Sequence, residues 1–173
     1  MVTGSARLDH YRHGGDSLQG RYHFHRLHPL SFAEISGSSQ ADLEDLLAYS
    51  GFPEPFFLAS ATETKRWSRE YRTRMVIEEL QVAHQTVARW VQILENLYMI
   101  FRIYPFGSPK IRAVKKEAKH YHADWTVIHD QGARFENLIA CHLLKWCHFL
   151  QDTEGRDLEL RYFRDMDRRE WIS

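Results

Sequence analysis

Residues 110–119 carry Lys110, Arg112, Lys115, Lys116 and Lys119, in a chain whose Lys plus Arg and Asp plus Glu both total 23. Cations at that density suit phosphate oxygens. Gln85, Thr86 and Arg89, upstream of them, are the residue types that begin a recognition helix. The chemistry they suggest is contact with DNA; the competing reading is a solvated hairpin. A chain of zero net charge has no global field to steer an anionic partner, so any such contact must be local. A second basic cluster, Lys65, Arg66, Arg69, Arg72 and Arg74, places Lys65, Arg69 and Arg72 on one helical face. With Glu63 and Glu70 beside it, that cluster reads as a solvated surface.

The eleven histidines invite metal hypotheses. His23 and His25 share a strand face, with His28 close behind. No carboxylate or cysteine stands at ligand spacing near them, and a structural zinc site needs four ligands, so no metal site is expected. His120 and His122 also share a strand face and read as packing or surface residues. Cys141 and His148, seven apart on one helix, are a weak pair. Cys141 and Cys147 fall six apart in one helix, so their side chains diverge by about 120° and do not suit a bridge. Neither Ser5 nor Ser31 has a spacing-coded His and Asp partner, so no nucleophile triad is read.

The elements that must position these groups follow from periodicity. Tyr22 to Leu27 alternates as a short strand, and Ser31 with Glu34 forms a capping box. Asp42 to Tyr49 is helical and GFPEP (51–55) breaks it. Glu63 to about Arg74 is a basic helix. Ile77 to Val82, a turn, and Gln85 to Ile100 form a helix–turn–helix, with Val87, Trp90, Val91, Leu94, Leu97 and Tyr98 as an apolar stripe. Phe101 to Tyr104 and His120 to Trp125 read as strands, and two helices plus a hairpin is the winged-helix pattern. Along the last helix, from Arg134, one side carries Phe135, Leu138, Ile139, His142, Trp146, Phe149 and Leu150. Trp90 and Trp146 are read as core. Leu158 to Phe163 is a strand, and DMDRREWIS after it reads as an unfinished hairpin.

Several segments occur in an order that resembles a known group: GSARLD, GGDSLQGRY, RLHPLSFAE, GFPEPF, VAHQTVARWVQILENLY, RAVKKEAKHYHADW and GARFENLIACHLLKW. They resemble the AAA-type ATPases whose C-terminal part is domain of unknown function 4143. The resemblance implies a P-loop ATPase module first, with ATP and Mg as its ligands, then a winged-helix-like part, then a restriction-nuclease-like fold. It makes Ser5 similar to a sensor position near the γ-phosphate. It makes Arg21 similar to an arginine acting on nucleotide in the same or a neighbouring subunit, and Glu136 in FEN a nuclease-like acid.

The departures are equally specific. No GxxxxGK[ST] occurs, nor an acidic strand for Mg. Arg74-Met75-Val76 runs directly into Ile77, where relatives carry a longer helical segment. DRREWIS replaces the pattern that would supply a second nuclease carboxylate. The expected fold is mixed α/β: a last strand and lid helices of an ATPase module (1–76), a truncated winged-helix-like unit (77–127) and a partial nuclease-like unit (128–173). The expected protein is a truncated ATP-binding family member that neither binds nor hydrolyses ATP by itself and needs no cofactor. The alternatives are a small DNA-binding module and a partner of an intact ATPase paralogue. No signal-peptide pattern and no membrane-spanning apolar run is read, so a cytoplasmic chain without a membrane partner is expected.

Overall fold

The computed structural model of the chain describes residues 26–35, 37, 39–80, 87–106, 118–164 and 170–172. Its helices are α1 (Gln40–Tyr49), α2 (Pro53–Leu58), α3 (Ala61–Leu80), α4 (Val87–Asn96) and α5 (Gln131–Glu154). Its strands are β1 (Ile100–Pro105), β2 (Lys119–His122), β3 (Arg161–Arg164) and β4 (Glu170–Ile172), forming one mixed sheet in the order β2-β1-β3-β4. β1 and β2 pair antiparallel from Ile100 opposite His122 to Ile103 opposite Lys119. A short parallel step, Tyr104 opposite Arg161 and Pro105 opposite Tyr162, joins this hairpin to the next.

The second hairpin corrects the reading of an unfinished end. β4 pairs antiparallel with β3, with Phe163 opposite Trp171 and Arg164 opposite Glu170. A strand of three residues leaves too little alternation to be recognised from sequence. A second correction falls at GFPEP. The chain does break at Ser50, where φ is 77°, but Pro53 then opens α2. Proline at the first helical position gives up an N–H that would have no helical partner. The strand expected over Tyr22–Leu27 falls mostly outside the described residues, and Arg26 and Leu27 belong to no strand.

Local signals set the other starts. Ser31 and Glu34 form the expected capping box around one 3-10 turn, Phe32–Glu34. Ser39 caps α1 by accepting from the Asp42 N–H, while Asp42 accepts from the Ser39 N–H at 2.8 Å. Asp130 caps α5 through the Ala133 N–H at 2.7 Å.

α5 is the spine of the fold. On one side Ala140 joins Ile103, Tyr121, Leu160 and Tyr162 beneath the sheet. On the other, Leu138 and Cys141 meet Leu46 of α1 and Trp125, with Phe32 and Ile35 against them. The Trp125 indole N–H donates to the Leu46 carbonyl at 2.9 Å, which satisfies the polar atom of a fully buried ring. Gly51 makes room for that ring, since a Cβ there would lie 2.5 Å from Trp125 Cη2 and 2.8 Å from the Leu30 carbonyl.

α3 packs Phe52, Trp67 and Tyr71 together, the last two rings stacked at 5.0 Å. Its Lys65, Arg66, Arg69 and Arg72 are exposed, and Arg66 pairs with Glu63 and Glu70 along the helix. α3 passes residue 76 unbroken, and the sheet takes strands from both sides of residue 127.

Candidate functional site

The period of a strand decides which side chains of β2 face α5. Lys119 and Tyr121 share one face, and His120 and His122 share the exposed other. Asn137 of α5 fixes the register between helix and strand. Its Oδ1 accepts from the His122 N–H at 2.8 Å and its Nδ2 donates to the His122 carbonyl at 2.6 Å. Cys141, one turn further, also donates to that carbonyl, at 3.3 Å. Burial pushes its thiol well above the usual range, so it is an inert core residue and not a partner of His148. Cys141 and Cys147 are both free thiols, as their divergent placement predicts.

Next to this clamp, Glu136 receives both β2 side chains on one oxygen. Tyr121 Oη donates to Oε1 at 2.8 Å and Lys119 Nζ approaches the same atom at 3.2 Å. The ammonium also lies 5.5 Å from the centre of the Tyr162 ring. Glu136 and Lys119, expected in two different roles, are thus each other's partners. The arrangement can hold a charge and fix a phenol. It does not gather the convergent carboxylates that hold Mg for phosphodiester cleavage. Asp124, the nearby buried acid, is occupied by Ser68 Oγ at 2.7 Å and Thr126 Oγ1 at 2.7 Å. Among the described residues no group of three His, Cys, Asp or Glu is placed for a metal ion.

The other expected site residues are distributed as follows. Arg89 lies in α4, and its backbone alone is described. Ser5, Arg21, Gln85, Thr86, Lys110, Arg112, Lys115 and Lys116 fall outside the described residues, as do His23 and His25. On α4, Glu95 forms a two-point ion pair with Arg102 of β1, which Gln92 also contacts at 3.3 Å. Arg102 and Arg161 both lie over the Tyr104 ring, at 5.7 and 5.9 Å.

A different cluster joins residues 26–34 to the far half of α5. Arg26 bonds Asp152 and Gln151, the latter at 3.0 Å, and Lys145 bonds the Pro29 carbonyl at 2.9 Å and pairs with Glu34. His142 Nε2 accepts from the Phe32 N–H at 2.8 Å while Nδ1 donates to the Leu138 carbonyl at 2.8 Å, which fixes a neutral ring. His28 and His148 share a direct bond of 2.8 Å. Burial, with Lys145 and Arg26 nearby, pushes His28 down to about 4. Burial, with Arg26 and His28, does the same to His148. These contacts have no local sequence signature, because the partners lie more than a hundred positions apart.

The tryptophans correct the sequence reading. Trp90 is 40% exposed and Trp146 is 59% exposed, so neither is core. Phe135, Ile139 and Phe149 are also exposed on α5, and Trp146 stacks on Phe149 at 5.9 Å. At about 100° per residue these four fall within one narrow stripe, opposite the face that meets the sheet and α1. Periodicity reported that stripe but not its direction. The helix carries apolar groups on its outer face as well as its inner one. Among the described residues no helix is long and apolar enough to cross a membrane.

Residues 73–132, covering the end of α3, α4 and the β1–β2 hairpin, match the model of a domain of unknown function, DUF8612. No curated protein matches the chain. No solved structure matches it either.

Proposed function

We propose that the chain is the accessory part of an AAA-type ATPase of the class carrying domain of unknown function 4143, and that it acts on an intact ATPase rather than hydrolysing ATP by itself. The observation that carries this is the order of elements. α3, α4 and the β1–β2 hairpin come first; then α5, bearing Phe135-Glu136-Asn137, and the β3–β4 hairpin. That is the order the resemblance implies for a winged-helix-like part followed by a nuclease-like α/β part. The 173 residues contain no GxxxxGK[ST] run, so the backbone cradle and lysine that hydrolysis requires are not among them. Arg21 is the residue that this reading offers to a neighbouring subunit's nucleotide.

The test is turnover of an intact, P-loop-bearing ATPase of the same class, with and without the purified chain. The chain alone gives no hydrolysis. In mixture it changes the turnover of the intact enzyme, and Arg21→Ala abolishes the change. Hydrolysis by the chain alone overturns the proposal, and unaltered turnover in the mixture removes the role in trans.

A second reading, contact with DNA, is favoured by one observation. β1 and β2 pair antiparallel, and Lys110, Arg112, Lys115 and Lys116 lie between them in the sequence, where the winged-helix reading expects its wing. Lys119 belongs less to that set, since its ammonium is paired with Glu136. Duplex binding that weakens steeply with salt, and again in the Lys115→Ala/Lys116→Ala variant, supports this reading. Binding that is absent or insensitive to salt ends it.

A further inference from the structure

Ion pairing is nearly complete among the described cations, and the exceptions are not scattered. Outside α3, every described Lys or Arg side chain except Arg134 has a carboxylate partner. Arg134 donates instead to the Ile128 carbonyl at 2.8 Å. On α3, Arg66 pairs with Glu63 and Glu70. Lys65, Arg69 and Arg72 are exposed, and none has a carboxylate partner among the described residues. Arg72 bonds only the Ser68 carbonyl, through Nε at 3.1 Å, which leaves both its terminal nitrogens without an acceptor.

The helix separates the two kinds of cation. At about 100° per residue, Lys65, Arg69 and Arg72 fall within one arc of about 60°. Glu63, Arg66 and Glu70 fall within another, about 120° away. The acids therefore do not soften the first arc, as their nearness in sequence suggests; they neutralise the second. Along the axis Lys65 and Arg69 stand about 6 Å apart, and Arg69 and Arg72 about 4.5 Å. That is the order of the spacing between successive phosphates of one strand. Two of the three groups are guanidinium forks, which suit phosphate oxygens.

The strip ends beside β2. Ser68, next to Arg72 on the helix, donates to Asp124 at 2.7 Å and so holds this edge of α3 near the end of that strand. Asp124 is buried and already bonded, so it does not neutralise the strip. His120 and His122 are exposed on the outer face of β2. Burial lowers His122 from its ordinary value, Asp124 opposes this, and Arg72 and His120 lower it further, so its ring is neutral and lies within reach of the Arg72 charge. A flat neutral imidazole beside a row of free cations is a combination that stacks an unpaired base while its phosphates are held.

We propose that Lys65, Arg69 and Arg72 bind the sugar-phosphate backbone of a single-stranded nucleic acid, and that the His120 and His122 rings receive its bases. The site is separate from the Lys115–Lys116 segment. With two or three phosphate contacts its affinity is modest and best seen at low salt.

The experiment is fluorescence anisotropy of the whole chain with a labelled single-stranded DNA of mixed sequence and with the corresponding duplex, each over a salt series. The variants are Lys65→Gln/Arg69→Gln, His122→Ala, and Arg66→Gln from the paired arc. All four side chains are exposed, so thermal melts of the variants should match the parent. The parent binds the single strand more tightly than the duplex. Lys65→Gln/Arg69→Gln weakens that binding at least tenfold and lowers the salt slope by about 1.4, since each single-strand phosphate contact contributes about 0.7. His122→Ala weakens binding with the slope unchanged, and Arg66→Gln changes it less than twofold. A parent that does not bind the single strand, or binds the duplex as tightly, overturns the proposal. So does a loss in Arg66→Gln as large as in the double variant. A loss confined to Lys115→Ala/Lys116→Ala also overturns it and assigns the contact to that segment.

Discussion

His28 Nε2 and His148 Nδ1 lie 2.8 Å apart, so one ring must donate and the other accept. With His142 accepting from the Phe32 N–H, three rings hold the segment 26–34 on α5 only while they are largely uncharged. Charging the His28–His148 pair on both rings removes its acceptor, and charging His142 removes the acceptor for Phe32.

Acid should therefore loosen this attachment. The folded values of His28 and His148, about 4, lie below the ordinary 6.5, so the unfolded chain binds more protons between those limits. The stability they confer is complete above pH 6.5 and declines as pH falls through 4. Glu34 titrates outside this window. Burial opposes its ionisation, but Lys145 and Ser31 hold it down to about 2. A thermal melt series should show the midpoint falling from pH 6.5 to 4. A His28→Asn/His148→Asn variant should show a shallower fall, and a parallel one would remove these rings as the cause.

Gly51→Ala should destabilise by about 1–3 kcal/mol, the cost of forcing atoms into a packed core. The added methyl group meets the fully buried Trp125 ring and the Leu30 carbonyl, neither of which is a flexible side-chain end. Gly155→Ala is the contrast: nothing lies within 4 Å, and φ of +66° alone should cost about 1 kcal/mol. Urea unfolding of the two variants separates a steric penalty from a conformational one. Equal losses would argue against tight packing at Gly51.

Asn137→Leu should cost about 1–3 kcal/mol despite similar size, since it strands the N–H of His122 and leaves its carbonyl only the Cys141 thiol. Faster amide exchange at His122 in the variant would report the same loss locally. Unchanged exchange would mean the clamp is dispensable to the strand.

Glu136→Gln should alter stability by no more than about 1 kcal/mol, because the ion pair with Lys119 is partly exposed and the amide can still accept from Tyr121. Its informative effect is on anions. If the hairpin contacts DNA, releasing Lys119 should strengthen duplex binding a few-fold at low salt, measured by fluorescence anisotropy. Weaker binding would exclude Lys119 as a phosphate contact.

Much of the helical framework was legible. The Ser31–Glu34 capping box rests on neighbours three positions apart, and local rules describe such neighbours. The helix expected over Gln85–Ile100 was legible only in part: α4 ends at Asn96, and Trp90 and Tyr98 of its expected stripe are exposed. α2 was hidden because Pro53 signals both a stop and a start, and only the φ of Ser50 separates the two. The partnership of Glu136 with Lys119 was not legible, because it depends on the face that β2 turns toward α5. The outward direction of Phe135, Ile139, Trp146 and Phe149 was hidden for a related reason. A periodic pattern identifies a stripe, and what packs opposite decides whether it is core.

The parallel step between Tyr104 and Arg161 sets an order of assembly. β1 and β2 are separated by 13 residues and β3 and β4 by five, but the junction of the two pairs forms only after β2 and the whole of α5 have been made and turned back. On the ribosome, β1 therefore waits with one edge open until β3 emerges, and an open strand edge is a template for any other extended chain. The vulnerable interval in the life of this fold is thus the synthesis of α5, and slower translation through that helix should lengthen it.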